Sequence, residues 1–109
     1  MRVGPVQHVA FLMHLKPERV EDYLKVHETV WPEMLQALRE TGWTNFSLFL
    51  DRDQGLVVGY VETEDYERAT RRMAALDVNA RWQATMAEYF AEGRPDEAVQ
   101  LLEPYFHLA

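Results

Sequence analysis

The sequence contains no cysteine, so it can hold no disulfide framework and offers neither a thiolate nucleophile nor a zinc–thiolate site; the same absence fits any compartment. Glycine and proline are scarce, five of each in 109 residues, and 48% of the residues are hydrophobic. Such a chain can bury a core and lacks the low-hydropathy signature of disorder, and its length suits a single domain. Positive charge is in deficit, with 11 Lys and Arg against 18 Asp and Glu for a net charge of −7. The resulting field opposes phosphate backbones, so nucleic acid is not an expected partner. No apolar run approaches the ~20 residues that cross a bilayer, so no membrane association is expected. The opening Met1-Arg2-Val3-Gly4-Pro5 carries one Arg and is followed by His8 and His14 in a strand-like segment, which is no secretory leader. The expected compartment is the cytoplasm. There is no Gly-rich phosphate loop, no GxSxG elbow, no HExxH and no pair of histidines one helical turn apart, so no metal site is expected.

What is present has clear periodicity. From Val6 to Leu15, Val9, Phe11, Met13 and Leu15 alternate with His8, Ala10, Leu12 and His14, the period of a strand. Pro17 then opens a helical run in which Val20, Tyr23, Leu24, His27, Val30, Trp31, Met34, Leu35 and Leu38 recur at three- and four-residue spacing until Gly42. Pro32 interrupts that run, and because it has no N–H and clashes with the carbonyl one turn back, the helix should kink or restart just after His27. A second alternation around Phe46, Leu48 and Leu50 and a third from Leu56 to Val61, joined by Arg52-Asp53-Gln54-Gly55, predict a hairpin. Thr63 is the expected N-cap of a helix that runs from acidic Glu64, Asp65 and Glu67 to basic Arg71 and Arg72. Asp77 is the expected N-cap of another, whose apolar stripe is Val78, Trp82, Met86, Tyr89 and Phe90. After Gly93 and Pro95 a last strand is expected over Gln100 to Leu108, with Pro104 confining it to an edge or strand end.

Strand, helix, strand, strand, helix or helices, strand is the order of a ferredoxin-like split βαβ sandwich, an α+β fold with an antiparallel sheet and helices on one face. Both faces of the first strand are apolar. The uncovered face is therefore expected to pack on a second copy, giving a homodimer of the dimeric α/β barrel type whose second sheet roofs a cleft in each protomer.

His27 stands out chemically because imidazole titrates near neutrality and this one lies on the apolar helix face, one turn from Tyr23 and Trp31. Two readings stand side by side. It can be a core histidine satisfied by a backbone carbonyl, or part of a pocket wall in which a phenol, an indole and the freed backbone groups of an interrupted helix face a polyol. Glu33, Asp51 and Glu62 are carboxylates next to structured segments, open both to an acid–base role and to a solvated one.

The run Tyr23-Leu24-Lys25-Val26-His27-Glu28-Thr29-Val30-Trp31-Pro32-Glu33 resembles the signature Tyr-x-x-x-His-x-x-x-Trp-Pro-Glu of the L-rhamnose mutarotase family. Asn45-Phe46-Ser47 leading to Leu50-Asp51, Asp77-Val78 leading to Arg81-Trp82, Met86, and the terminal Phe106-His107-Leu108 extend the likeness over almost the whole chain. The resemblance implies a ferredoxin-like dimer acting on a monosaccharide without a cofactor, with His27 as the proton donor and Tyr23 as a sugar contact. It also departs from the family's pattern in three places. Phe46 stands where the family commonly has a sugar-contacting tyrosine, Trp82-Gln83 where it has Trp-Trp, and Glu92-Gly93-Arg94-Pro95-Asp96-Glu97 where it usually has Asn-Pro-Asp-Asn-Ser-Pro. Phe46, Trp82 and Gln83 are thus the other expected substrate contacts, and the reaction class transfers better than the identity of the sugar. The same fold hosts cofactor-free monooxygenases of the antibiotic-biosynthesis type, haem-degrading enzymes and non-catalytic ligand-binding modules, so the motif, not the fold, favours mutarotation.

Overall fold

A computed structural model describes residues 5–109; most of the opening pentapeptide, and with it the expectation that no leader is present, lies outside the described residues. The elements are β1 (Gln7–His14), a 3-10 turn (Pro17–Arg19), α1 (Val20–His27), α2 (Pro32–Thr41), β2 (Thr44–Asp51), β3 (Leu56–Thr63), α3 (Tyr66–Ala74), α4 (Asp77–Met86), 3-10 turns at Ala87–Tyr89 and Pro95–Glu97, and β4 (Gln100–Leu101). The strands form one antiparallel sheet in the order β2-β3-β1-β4. This is the expected α+β ferredoxin-like arrangement.

Strand pairing sorts the side chains by face. Val9 opposite Val61, Phe11 opposite Gly59 and Met13 opposite Val57 point toward the helices and, with Leu15, Tyr23, Met34, Met73, Val78, Trp82 and Met86, build the core. Ala10 opposite Tyr60 and Leu12 opposite Val58 point the other way, beside Phe49, which is 60% exposed.

Pro32 restarts the helix. Trp31 takes an extended backbone at φ −55° and ψ 131°, as a residue before proline prefers, and Pro32 becomes the first residue of α2, where no N–H is needed. α1 therefore stops with His27 in its last turn. α2 ends on Gly42 at φ +105°, a left-handed conformation that glycine adopts without strain.

Three local expectations are corrected. Thr63 is not a cap: β3 runs through it, and its side chain is buried against the core. Asp65 caps α3 instead, its carboxylate accepting the Arg68 N–H at 3.0 Å, a contact worth about 1 kcal/mol in such positions. Asp77 is not a cap either. The extended Leu76 holds that position, while Asp77 opens α4 and binds Arg81 Nε at 2.8 Å. The last strand is two residues long where nine were expected. It pairs at the edge of β1, the Leu102 N–H adds one bond to the Ala10 carbonyl at 2.9 Å, and the chain beyond is irregular and exposed. Pro104 can donate no ladder bond there, so the pairing does not propagate.

Candidate active site

A cavity of about 390 Å³ lies between the helices and the covered face of the sheet. Tyr23, His27, Phe46, Trp82 and Gln83, the five residues singled out from the sequence, all line it. Its walls come from Phe11 and Met13 of β1, Phe46 and Leu48 of β2, all four helices and the 95–99 segment. The cleft is thus on the helix side. The expectation that a second sheet on the uncovered face would roof it is corrected, because the sheet itself separates that face from the cavity.

Each wall residue is placed by a local rule. Tyr23 and His27 are one turn apart on α1 and stack, ring centroids 4.3 Å apart and planes at 38°. Trp82 of α4 meets His27 edge-on at 5.4 Å, and Trp31 braces Trp82 from behind at 4.9 Å. Phe46 lies next to a β-bulge. Thr44 faces Glu62 and Ser47 faces Tyr60, so one extra residue is accommodated in β2, where Asn45 sits at φ +45°. Phe46, two residues before Leu48, shares its face of the strand on the cavity side, where it packs on Trp43 at 5.0 Å and on Phe11 at 6.3 Å.

Burial sets the electrostatics. Desolvation holds the His27 imidazolium below its ordinary pKa of 6.5, opposed in part by the backbone carbonyl of Tyr23 one turn back. That carbonyl attracts the ring but does not reach hydrogen-bonding geometry, and Nδ1 is buried with no partner among the described residues. Burial also pushes the Tyr23 phenol up to about 12. Its hydroxyl stays neutral at working pH and serves as a donor or acceptor, not as a base.

The carboxylates weighed from the sequence lie elsewhere. Glu33 pairs with Arg81 at 3.1 Å on the surface, and Arg81 in turn lies 5.9 Å over the Trp31 ring, so the Trp-Pro-Glu motif supports the site from outside it. Asp51 accepts the Asp53 N–H at 3.1 Å in the hairpin turn. Glu62 accepts the Tyr60 hydroxyl at 2.9 Å on the far face of the sheet. Among the described residues the carboxylate that does line the cavity is Asp96, which sequence reasoning missed, as it missed Asn79 and Trp43. Asn79 left a signal: it is a polar residue beside the apolar stripe of α4, one turn before Gln83. Among the described residues no helix is long and apolar enough to cross a membrane, and no cluster of three or more His, Cys, Asp or Glu is grouped to hold a metal ion.

This arrangement offers an imidazole whose charged form burial disfavours, a neutral phenol against it, an indole edge, and a carboxylate in the lining. Comparison with known proteins identifies the family. A sequence model of the family described as L-rhamnose mutarotase matches residues 8–108. An L-rhamnose mutarotase of Burkholderia cenocepacia is 37% identical over 106 residues, covering 94% of this chain and 99% of its own. The crystal structure of an L-rhamnose mutarotase from Formosa agariphila superposes with a TM-score of 0.80 at 23% identity, covering 94% and 99% of the two chains. A monooxygenase from Streptomyces coelicolor shares the fold alone, with a TM-score of 0.65 at 16% identity over 95% and 92% of the chains. The chain belongs to the L-rhamnose mutarotase family.

Proposed function

We propose that this protein is a cofactor-independent aldose 1-epimerase that interconverts the α and β anomers of L-rhamnose or a closely related sugar, working in the cytoplasm as a homodimer. The observation that carries the reading is the His27 imidazole, its Nδ1 without a hydrogen-bond partner among the described residues and its ring set between the face of Tyr23 and Trp82 in a cavity of monosaccharide scale. Mutarotation opens the pyranose by moving a proton from the anomeric hydroxyl to water while the ring oxygen gains one, then closes the aldehyde from its other face, the water returning the proton. His27 donates the proton to the ring oxygen on opening and takes it back on closing, as microscopic reversibility demands. A positioned acid of this kind supplies roughly 10²–10⁴-fold of rate. Lowering its pKa makes imidazolium scarcer at neutral pH but a stronger acid toward a weakly basic ether oxygen. Tyr23 hydrogen bonds a sugar hydroxyl, while Trp82 and Phe46 pack on the apolar faces of the ring. NMR exchange spectroscopy on L-rhamnose with the parent and with His27→Gln tests the reading. The parent should speed anomer exchange and the variant should fall to near the uncatalysed rate while remaining folded. Equal rates in the two proteins would remove His27 from the mechanism.

A further inference from the structure

One corner of the cavity is polar, and its members fix one another. Asn79, only 3% exposed, accepts a hydrogen bond from Gln83 Nε2 at 3.1 Å through its Oδ1 and donates a long one to Asp96 Oδ2 at 3.5 Å. Gln83 Oε1 accepts the Asp96 backbone N–H at 3.2 Å. Arg94 holds the Asp96 carboxylate with both arms of its guanidinium, Nε to Oδ1 at 3.1 Å and Nη2 to Oδ2 at 2.8 Å. Gly93 at φ +87° turns the chain into this segment, and the buried Pro95 pins it to the body of the protein. Two departures from the family's pattern, Gln83 and the 92–97 segment, are therefore in direct contact and form one unit.

Counting hydrogen-bonding capacity shows what the unit leaves free. The carbonyl and one N–H of the Gln83 amide are committed to the protein, so Gln83 is occupied as a structural tie. Asp96 has roughly four acceptor positions on its two oxygens. Oδ2 takes two donors and Oδ1 one, which leaves an acceptor position on Oδ1, on the one carboxylate among the described cavity residues.

We propose that Asp96 is a specificity-determining residue of this site, its carboxylate accepting a hydrogen bond from one ring hydroxyl of the bound sugar, and that Gln83 is the positioning residue that holds it there through the Asp96 backbone N–H. The proposal rests on the reading of the cavity as a monosaccharide site. A charged, rigidly held acceptor rejects a sugar lacking its hydroxyl much more sharply than an apolar wall does, because the carboxylate is then left desolvated and short of a donor. It also explains how the site can lose an indole at position 83 without losing its polar discrimination: the amide that stands there recruits a neighbouring acid.

The test is a cycle between protein and substrate. L-rhamnose and the three analogues that each lack one ring hydroxyl, at carbons two, three or four, are titrated by saturation-transfer NMR into the parent, Asp96→Asn and Gln83→Leu, and anomer exchange is followed on the same samples. In the parent, one analogue should bind about ten- to a hundredfold more weakly than rhamnose, the range expected of a hydrogen bond to a charged group. In both variants rhamnose should weaken by that same factor while that analogue is unaffected, and the loss should appear in the rhamnose concentration needed for half-maximal exchange. Weakening of all four sugars alike, or of none, overturns the proposal, since a merely structural turn would act without regard to one hydroxyl. If Asp96→Asn fails to fold, Gln83→Leu, which leaves the Arg94–Asp96 pair intact, carries the same comparison. Sugar binding with the expected pattern but no anomer exchange would sink the mutarotase reading and leave the assignment of Asp96 standing. Absence of any sugar binding to the folded parent would sink both.

Discussion

The imidazole of His27 lies against the phenol ring of Tyr23, centroids 4.3 Å apart, because the two residues are one turn apart on α1, which is cut off just beyond them by the extended Trp31 and by Pro32. Had the helix continued, the carbonyls of its last turn would have been taken up by N–H groups of the next. The interruption places the imidazole at a helix end that opens on the cavity, its Nδ1 without a hydrogen-bond partner among the described residues. Of the two stacked groups the phenol is held neutral up to about 12, while burial favours the neutral form of the imidazole.

The pH dependence of activity follows from the burial of His27. Its pKa is held below 6.5, so exchange that needs the imidazolium should increase as pH falls and level off below that pKa. The pH profile of the exchange rate under subsaturating sugar should show an inflection below 6.5 that is missing from His27→Gln. An inflection at or above 6.5 would contradict the desolvated imidazole.

Stability should carry the same signature with a definite sign. The folded state favours neutral His27, so the unfolded chain binds more protons between the lowered pKa and 6.5. The contribution of His27 to stability is therefore fully present above 6.5 and is lost as pH falls through the folded-state pKa. Thermal unfolding of the parent and His27→Gln from about pH 8 to about pH 5 should diverge in that window, the parent losing the greater share. Parallel curves would mean that the imidazole is not desolvated.

Gly59 controls the floor of the cavity. A Cβ at this position would lie 2.3 Å from the ring of Phe11, which faces it across the β1–β3 ladder and lines the cavity. Gly59→Ala should cost about 1–3 kcal/mol in chemical denaturation, as overpacking does, and raise the sugar concentration needed for half-maximal exchange by forcing Phe11 into the site. Combining it with Phe11→Leu should restore much of both. Additive losses in the double variant would show that the two residues do not collide.

How much of this was legible in the sequence depended on the range of the interactions involved. The break at Pro32, the Tyr23–His27 stack and the stripe of α4 are set by residues one turn apart, and their spacing announced them. The caps were misplaced by a residue or two because Thr63 and Asp77 have the right chemistry, and what displaces them is the extra length of β3 and the extended Leu76, which are settled by packing. The short β4 was overread for a similar reason: alternation marks a strand only where a partner edge is available. Asp96 was missed altogether. Its role comes from contacts with Asn79 and Gln83, 17 and 13 residues away along the chain, and no local pattern connects a turn after the last helix to the middle of that helix.

The uncovered face of the sheet should join two copies. Leu12, Val58 and Phe49 form an apolar stripe across three strands, with Phe49 60% exposed, an arrangement that monomeric proteins seldom leave to water and that a twofold partner covers with the same stripe. Light scattering should give twice the mass of the chain for the parent, and Phe49→Asp should shift it to the monomer with the helix content unchanged. A monomeric parent at micromolar concentration would contradict the homodimer.

Specificity provides the last prediction, and the two altered wall residues should act in opposite directions. Phe46 shares the cavity face of β2 with Leu48 and rests on Trp43 and Phe11, so Phe46→Tyr adds a hydroxyl to an established wall without disturbing a hydrogen bond. It should sharpen discrimination between L-rhamnose and epimers inverted at the nearest hydroxyl, by roughly tenfold where the new contact is well formed. Gln83→Trp restores the family's second indole but removes both the acceptor for the Asp96 N–H and the donor to Asn79. It should therefore loosen the 94–97 turn and relax discrimination even as it adds stacking area. The double variant should fall between the two, because the residues belong to different elements of the wall and no contact links them directly. Exchange rates for L-rhamnose and several epimers in all four proteins decide the matter. If Gln83→Trp sharpens selection as Phe46→Tyr does, the amide at position 83 is not the tie that holds Asp96, and the indole is an interchangeable part of the sugar platform.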